Sequence, residues 1–244
     1  MSKPDVIDPI LISNFIHQVI NPLNGIVGTI DNLIDGTIDQ EHHQQRLTAV
    51  RGQLAHSIEI IRNLAFLSQL YSTLGIESLT EKSQPVRIPR LIIESIQFFQ
   101  ESARKKNIKV ELVDRITQYE VFGHQHLLKQ VIVNIIDNGI KYGDRSTKIT
   151  IEPHVQKNTN NLLVDIRSYG PGFYYDERNK LFELGFRGKD AQSMKASGSG
   201  IGLYISKRII ELVHRGVIEA EYSRRTRETL FRLRFPEYTI KERE

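Results

Sequence analysis

The side chains best suited to chemistry fall into five short segments of this 244-residue chain. Asn134, Asn138 and Lys141 are spaced four and three residues apart, so in a helix they share one face. Two amides and an ammonium there suit a metal–triphosphate, with a neutral oxygen for a hard cation and a positive charge for phosphate oxygens. A polar stripe on an amphipathic helix gives the same pattern. Ser168-Tyr169-Gly170-Pro171-Gly172-Phe173 follows an apolar run, and its glycines let the backbone approach a planar base or a phosphate. In isolation it is also an ordinary turn. Leu181 to Arg187 (LFELGFR) offers aromatic anchors and a guanidinium. Gly198, Gly200 and Gly202, with Leu203 after them, open another apolar run, where glycine-rich backbone aims free amides at an anion. Such a G-x-G-x-G loop is shared by unrelated binding sites. The fifth segment is Phe15-Ile16-His17-Gln18-Val19-Ile20-Asn21-Pro22-Leu23. A neutral imidazole is a competent nucleophile for phosphoryl transfer when oriented and deprotonated. Most helical histidines are surface or core residues, which is the reading given to His42, His43, His124 and His126. His17 differs in lying five residues before a helix-bending proline.

Apolar residues position these segments. From about Asp8 to Asp35 they recur at helical spacing (Leu11, Phe15, Val19, Leu23, Ile26, Ile30, Leu33), with Pro22 interrupting. Gly36 and Thr37 end that helix, and the polar stretch Asp39 to Gln45 reads as a turn. A second periodic run extends from Leu47 to Leu70. Two helices of about 28 residues would each be ~40 Å long. A lone hairpin of that length leaves an apolar stripe partly uncovered, and a second copy would close a four-helix bundle; a homodimer is expected. Ser72 to Val86 reads as a linker.

Beyond Arg87 the pattern predicts a helix (Ile88 to Lys105), a strand (Ile108 to Val113), a helix (His124 to Tyr142) and strands at Lys148 to Val155 and Leu162 to Arg167. A helix from Ile201 to His214 and a hairpin from Val217 to Phe235 close the chain. The expected fold class is α+β: an antiparallel helical hairpin, residues 1–73, a linker, 74–86, and an α/β sandwich, 87–244, with helices on one sheet face.

Composition is that of an ordinary globular protein, 39% hydrophobic and 25% charged. Thirty-three cations nearly balance twenty-nine acids, so the net charge of +4 gives no nucleic-acid footprint. The arginines between Arg224 and Arg234 alternate with apolar residues, as on the solvated face of a strand. With no cysteine there is no disulfide and no thiolate metal site, in keeping with a reducing cytoplasm. No apolar run approaches the ~20 residues of a membrane helix, and the first fifteen residues lack a signal-peptide pattern.

In order and spacing, the segments at 134–142, 168–173, 181–187 and 198–203 resemble the N, G1, F and G2 boxes of the GHKL ATPases (gyrase, Hsp90, histidine kinase, MutL). The Phe-rich third box resembles the histidine-kinase branch, and Phe15 to Leu23 is similar to its H box. The resemblance covers about nine-tenths of the chain. It implies a GHKL-type α/β sandwich that binds ATP and Mg²⁺, with Asn138 on the metal and Lys141 and Arg187 on phosphates. Asn134, Gly198, Gly200, Gly202 and Leu203 fall in the same nucleotide-binding boxes. Tyr142 would lie along the nucleotide, Gly170 and Gly172 would shape the adenine pocket, and residues 188–202 would form a lid. His17 would be the phosphoacceptor, and a response-regulator receiver domain the partner.

The sequence departs from the family's pattern at two functional positions. The acid that follows the H-box histidine is here Gln18, which can orient the ring but is no base; general-base help is typically worth about 10²–10⁴-fold. The Asp that opens the G1 box is here Ser168. A charge-assisted hydrogen bond contributes about 1.5–3 kcal/mol against ~1 for a neutral one, so ATP binding weakens roughly tenfold. Asn21 matches the amide or hydroxyl position associated with dephosphorylating a regulator. Glu228 stands where glycine is usual. A kinase that autophosphorylates on His17 is the leading reading. A degenerate kinase acting as phosphotransfer or phosphatase module is the alternative; a chaperone-type ATPase and a scaffold are less well supported.

Overall fold

The computed structural model describes residues 9–70, 83–114, 116–193 and 200–241, and the chain divides into two compact units, Met1–Ile76 and Glu77–Glu244.

In the first unit α1 (Pro9–Ile34) and α2 (Gln40–Leu70) pack on each other across a short turn. Gly36 (φ +69°) supplies the left-handed residue that ends α1, and the Thr37 amide and hydroxyl both bond to the Asn32 carbonyl. Helix α1 runs unbroken through Pro22, whose missing amide leaves the Gln18 carbonyl without its helical donor. The polar stretch 40–45 is the exposed start of α2 and not a turn, because Gln, Glu and His are tolerated in helices and polarity there marks exposure. Ile26, Ile60 and Phe66 are buried between the helices. Ile20, Val27, Ile30 and Ile34 on α1, with Leu54, Ile58 and Ile61 on α2, are exposed.

The second unit is a two-layer sandwich. Its main sheet has the order β2 (Lys109–Leu112), β4 (Lys148–Gln156), β5 (Asn161–Tyr169), β7 (Glu228–Phe235), β6 (Val217–Ser223). The β2–β4 pair is parallel and the others are antiparallel. Helices α3 (Ile88–Phe98), α5 (Gln125–Tyr142) and α7 (Gly202–Arg208) form the other layer. Inward residues of alternate register, among them Ile151, Val164, Ile166 and Leu233, meet Leu128, Ile132, Ile135 and Ile136 of α5 in the core.

The expected helix 88–105 is two: Phe99 turns its ring into the core and bonds its amide to the Ile96 carbonyl, and α4 (Gln100–Lys105) restarts after it. The expected helix 201–214 changes to a π turn over Ile209–Val213. A second sheet escaped the sequence reading: β1 (Gln84–Arg87), β3 (Gln118–Gly123) and β8 (Thr239–Lys241), in the order β1-β3-β8. Gln84 to Val86, read as linker, belong to it.

The outer face of the main sheet carries ion pairs. Asp165 is fully buried beneath two guanidiniums, accepting from Arg232 at 2.7 and 2.8 Å and from Arg167 at 2.7 Å. Arg234 donates to Glu219 at 2.6 Å. The alternating arginines of β7 are thus the polar face of a strand, neutralised in place. Glu228 belongs to this face as well, accepting the Tyr169 hydroxyl at 3.0 Å.

Candidate functional site

Helix α5 carries the first group of candidate residues, and both its ends are fastened. At the start, His214 Nε2 accepts the His124 amide at 3.1 Å, while Nδ1 faces the Ile209 carbonyl at 3.1 Å. An amide donating to Nε2 requires the proton on Nδ1, so the imidazole is neutral, and burial pulls its pKa down to about 4. At the other end, the Lys106 ammonium donates to the Ile140 and Lys141 carbonyls, both at 2.7 Å, satisfying acceptors that the helix leaves open.

Along α5 the three polar candidates do different things. Asn134 is buried and donates through Nδ2 to the Gly202 carbonyl and the Ser206 hydroxyl, tying α5 to α7. Lys141 is ion-paired with Asp137 one turn earlier. Asn138 is half-buried, and among the described residues its amide has no hydrogen-bond partner. Tyr142, half-buried, ends the helix.

The glycine segment after β5 is wrapped by backbone contacts. Gly170 donates to the Arg227 carbonyl at 2.9 Å and accepts the Tyr222 hydroxyl at 3.1 Å, and Asp144 donates to the Tyr169 carbonyl at 2.8 Å. Arg227 in turn clasps Asp144, donating through Nε and Nη2, the closest contact 2.9 Å. A Cβ on Gly170 would stand 2.5 Å from the Tyr142 carbonyl oxygen, and one on Gly172 (φ +68°) 2.2 Å from the Tyr222 ring. These glycines are needed for close approach. Ser168, at the end of β5, is half-buried, and its Cβ lies 3.3 Å from where a Cβ on Gly139 would be.

The F-box segment closes on Gly200. Gly185 donates to the Gly200 carbonyl at 3.1 Å, both residues have positive φ, and a Cβ on Gly200 would meet the Gly185 carbonyl at 2.7 Å. Phe182 packs edge-on to Phe231, and Arg187 donates to the Ala191 carbonyl within the turn that leads into α6 (Lys189–Ser193). Sequence reasoning missed Glu177, a buried carboxylate that accepts the Tyr174 and Lys189 amides, each at 2.9 Å, and so closes the loop around the Phe-rich box. Its only signal in sequence is an acid between a glycine loop and an aromatic cluster. Gly200, Gly202 and Leu203 lie where the loop rejoins α7; Gly198, with the rest of 194–199 in the expected lid, lies outside the described residues.

In the first unit His17 is exposed on α1, and Asn21, one turn on, is exposed too. Gln18 lies between them in the helix, and its backbone carbonyl is the one left open by Pro22.

The donor set fits a nucleotide that brings its own cation. Among the described residues no three His, Cys, Asp or Glu side chains gather as a metal site. A single amide such as Asn138 holds Mg²⁺ only when phosphates and water complete the octahedron. Ser168, with its open hydroxyl, and Asn138 are among the polar groups that have no hydrogen-bond partner within the described residues.

Residues 123–239 match the model of the histidine kinase-, DNA gyrase B-, and HSP90-like ATPases. The histidine protein kinase SaeS of Staphylococcus aureus is 24% identical over 212 residues, 82% of this chain and 56% of that protein. The chain thus spans about half the length of the curated relatives it matches. Among solved structures, the Acinetobacter baumannii histidine kinase AdeS covers 90% of this chain and 96% of its own, at 20% identity and TM-score 0.66. The histidine kinase ThkA, crystallised with the response regulator TrrA, covers 93% and 61% at 21% identity and TM-score 0.67. No described helix is long and apolar enough to cross a membrane. Residues 123–239 are thus similar to the ATPases of that family, and the chain over most of its length is similar to histidine kinases.

Proposed function

We propose that the chain is the catalytic core of a cytoplasmic two-component histidine kinase. Residues 1–73 hold the dimerisation and phosphoacceptor hairpin, the connection ends before Gln84, where β1 begins, and the ATP-binding domain runs from there to 244. The observation that carries the reading is one chain holding both an exposed imidazole, His17 on α1, and a domain of the ATPase family.

ATP would supply the γ-phosphoryl group, and Mg²⁺, when bound, would neutralise its charge. Asn138 would hold the cation through its amide oxygen, and Lys141 would exchange Asp137 for phosphate oxygens. Arg187 and the backbone at Gly198, Gly200, Gly202 and Leu203 enclose the phosphates, and Asn134 keeps α7 in place beneath them. Ser168, Gly170, Gly172 and Tyr142 border the base. His17 attacks phosphorus, the bond to the bridging oxygen breaks, ADP leaves, and the imidazole proton passes to water, since Gln18 is no base. Positioning and charge neutralisation are the main needs of phosphoryl transfer. A receiver-domain aspartate then takes the phosphoryl group. The exposed apolar stripe of α1 and α2 supports a homodimer.

The second reading, a phosphotransfer or phosphatase module with little ATP binding, draws on two observations. No carboxylate stands at Ser168, and Asn21 is exposed one turn from His17, where its amide can orient a water. Incubation with γ-labelled ATP and Mg²⁺, beside His17→Gln, tests the proposal. Label on the unaltered chain alone supports the kinase. Absence of label together with absence of nucleotide binding by calorimetry refutes it and leaves the phosphotransfer module.

A further inference from the structure

Two hydroxyls lie side by side beneath α5. Ser168 on β5 and Thr229 on β7 are direct cross-strand partners, so their side chains share one face of the sheet. It is the face packed on α5, since the Ser168 Cβ lies 3.3 Å from where a Cβ on Gly139 would be. Thr229 is 9% exposed and Ser168 half-buried, yet neither hydroxyl has a hydrogen-bond partner among the described residues. Neither oxygen is sealed off from solvent either. The neighbouring acid in sequence, Glu228, points to the opposite face of the sheet and is engaged with Tyr169 there.

We propose that the base pocket of this chain takes guanine as readily as adenine, with Ser168 and Thr229 as the groups that read the base. The inference rests on the nucleotide reading given above. A hydroxyl rotates to donate or to accept, whereas a carboxylate only accepts. Adenine presents an amino donor where guanine presents a carbonyl acceptor. A fixed acceptor at this place bonds the first and repels the second. A pair of free hydroxyls matches either edge by rotation, at no cost in buried unpaired groups. Sites that reject an analogue by about 10⁴–10⁵-fold do so by leaving buried polar groups unpaired, and neither hydroxyl here has a fixed polarity to leave so.

The test is displacement of a fluorescent N-methylanthraniloyl ATP from the whole chain, in Mg²⁺, by ATP, GTP and inorganic tripolyphosphate. ATP and GTP are expected to compete within about tenfold of each other, and both well ahead of tripolyphosphate. Ser168→Asp is expected to restore selectivity, weakening GTP at least tenfold while ATP holds or tightens. Displacement by ATP with none by GTP at a hundredfold excess overturns the inference and leaves the proposed function standing. Equal competition by tripolyphosphate also overturns it, because the base then contributes nothing. If the fluorescent nucleotide does not bind, the nucleotide reading falls and this inference falls with it.

Discussion

His214 makes the stability of the second unit depend on pH, in a direction set by its hydrogen bonds. Its ring is buried, accepts the His124 amide through Nε2 and faces the Ile209 carbonyl through Nδ1. Protonation would turn the acceptor into a donor aimed at another donor. Burial, the largest cause, lowers its pKa to about 4 from the ordinary 6.5. The folded state therefore favours the neutral ring, and the contribution is complete above pH 6.5. Between pH 6.5 and 4 the unfolded chain binds the proton and the folded one does not, so stability falls as the solution is acidified. A separation of about 2.5 pH units at 1.36 kcal/mol each gives about 3 kcal/mol over that window. Urea unfolding of the whole chain from pH 7.5 to 4, followed by amide exchange in β5 and β7, measures it. His214→Leu should lower stability at pH 7.5 by about 1–3 kcal/mol, the cost of an unpaired buried amide, and should flatten the slope between pH 6.5 and 4. An unchanged slope in the variant, or an NMR titration of His214 near 6.5, would refute the reasoning.

Asp165→Asn, which removes the charge between Arg167 and Arg232 at a fully buried position, is expected to cost about 3 kcal/mol or more, seen as a lower thermal midpoint of the ATPase unit. Gly170→Ala forces a methyl against the Tyr142 carbonyl and should destabilise by about 1–3 kcal/mol in urea unfolding, whereas Gly28→Ala, with open space around it in a helix, should stabilise by up to ~1 kcal/mol. If the proposed homodimer forms through the exposed stripe of α1, Ile20→Lys combined with Ile30→Lys places two charges in it and should shift the light-scattering mass from dimer to monomer.

The elements legible in sequence are those with a strong period. Helix α5 and strands β4 and β5 were predicted to within two residues at either end, because their apolar positions repeat without interruption over many residues. The small sheet was missed for the opposite reason. Its strands are three to six residues long and lie far apart in sequence, and β3 buries Glu120 against Arg87 amid its apolar residues. Pairing over such distances is a tertiary fact that local pattern does not carry. The break at Phe99 and the π turn at Ile209–Val213 are likewise fixed by packing.

At the site, residue type located the helix face and the glycine loops, but the partners of each group came only with the fold. Asn134 and Asn138 look equivalent in sequence, four residues apart on one helix; one is spent on Gly202 and Ser206, and the other is open. Gly170 and Gly172 look like ligand-facing backbone, yet Tyr142 and Tyr222 occupy the space that any side chain there would need. Glu228, odd in sequence, is an acceptor for Tyr169 on the far face of the sheet. That last contact separates the two anomalies of the region. The acid at 228 serves the ion-pair face, so it does not compensate for the missing acid at 168 on the α5 face. On the α5 face the polar groups at this place are the Ser168 and Thr229 hydroxyls, so exchanging Ser168 alone should change how the pocket discriminates between bases.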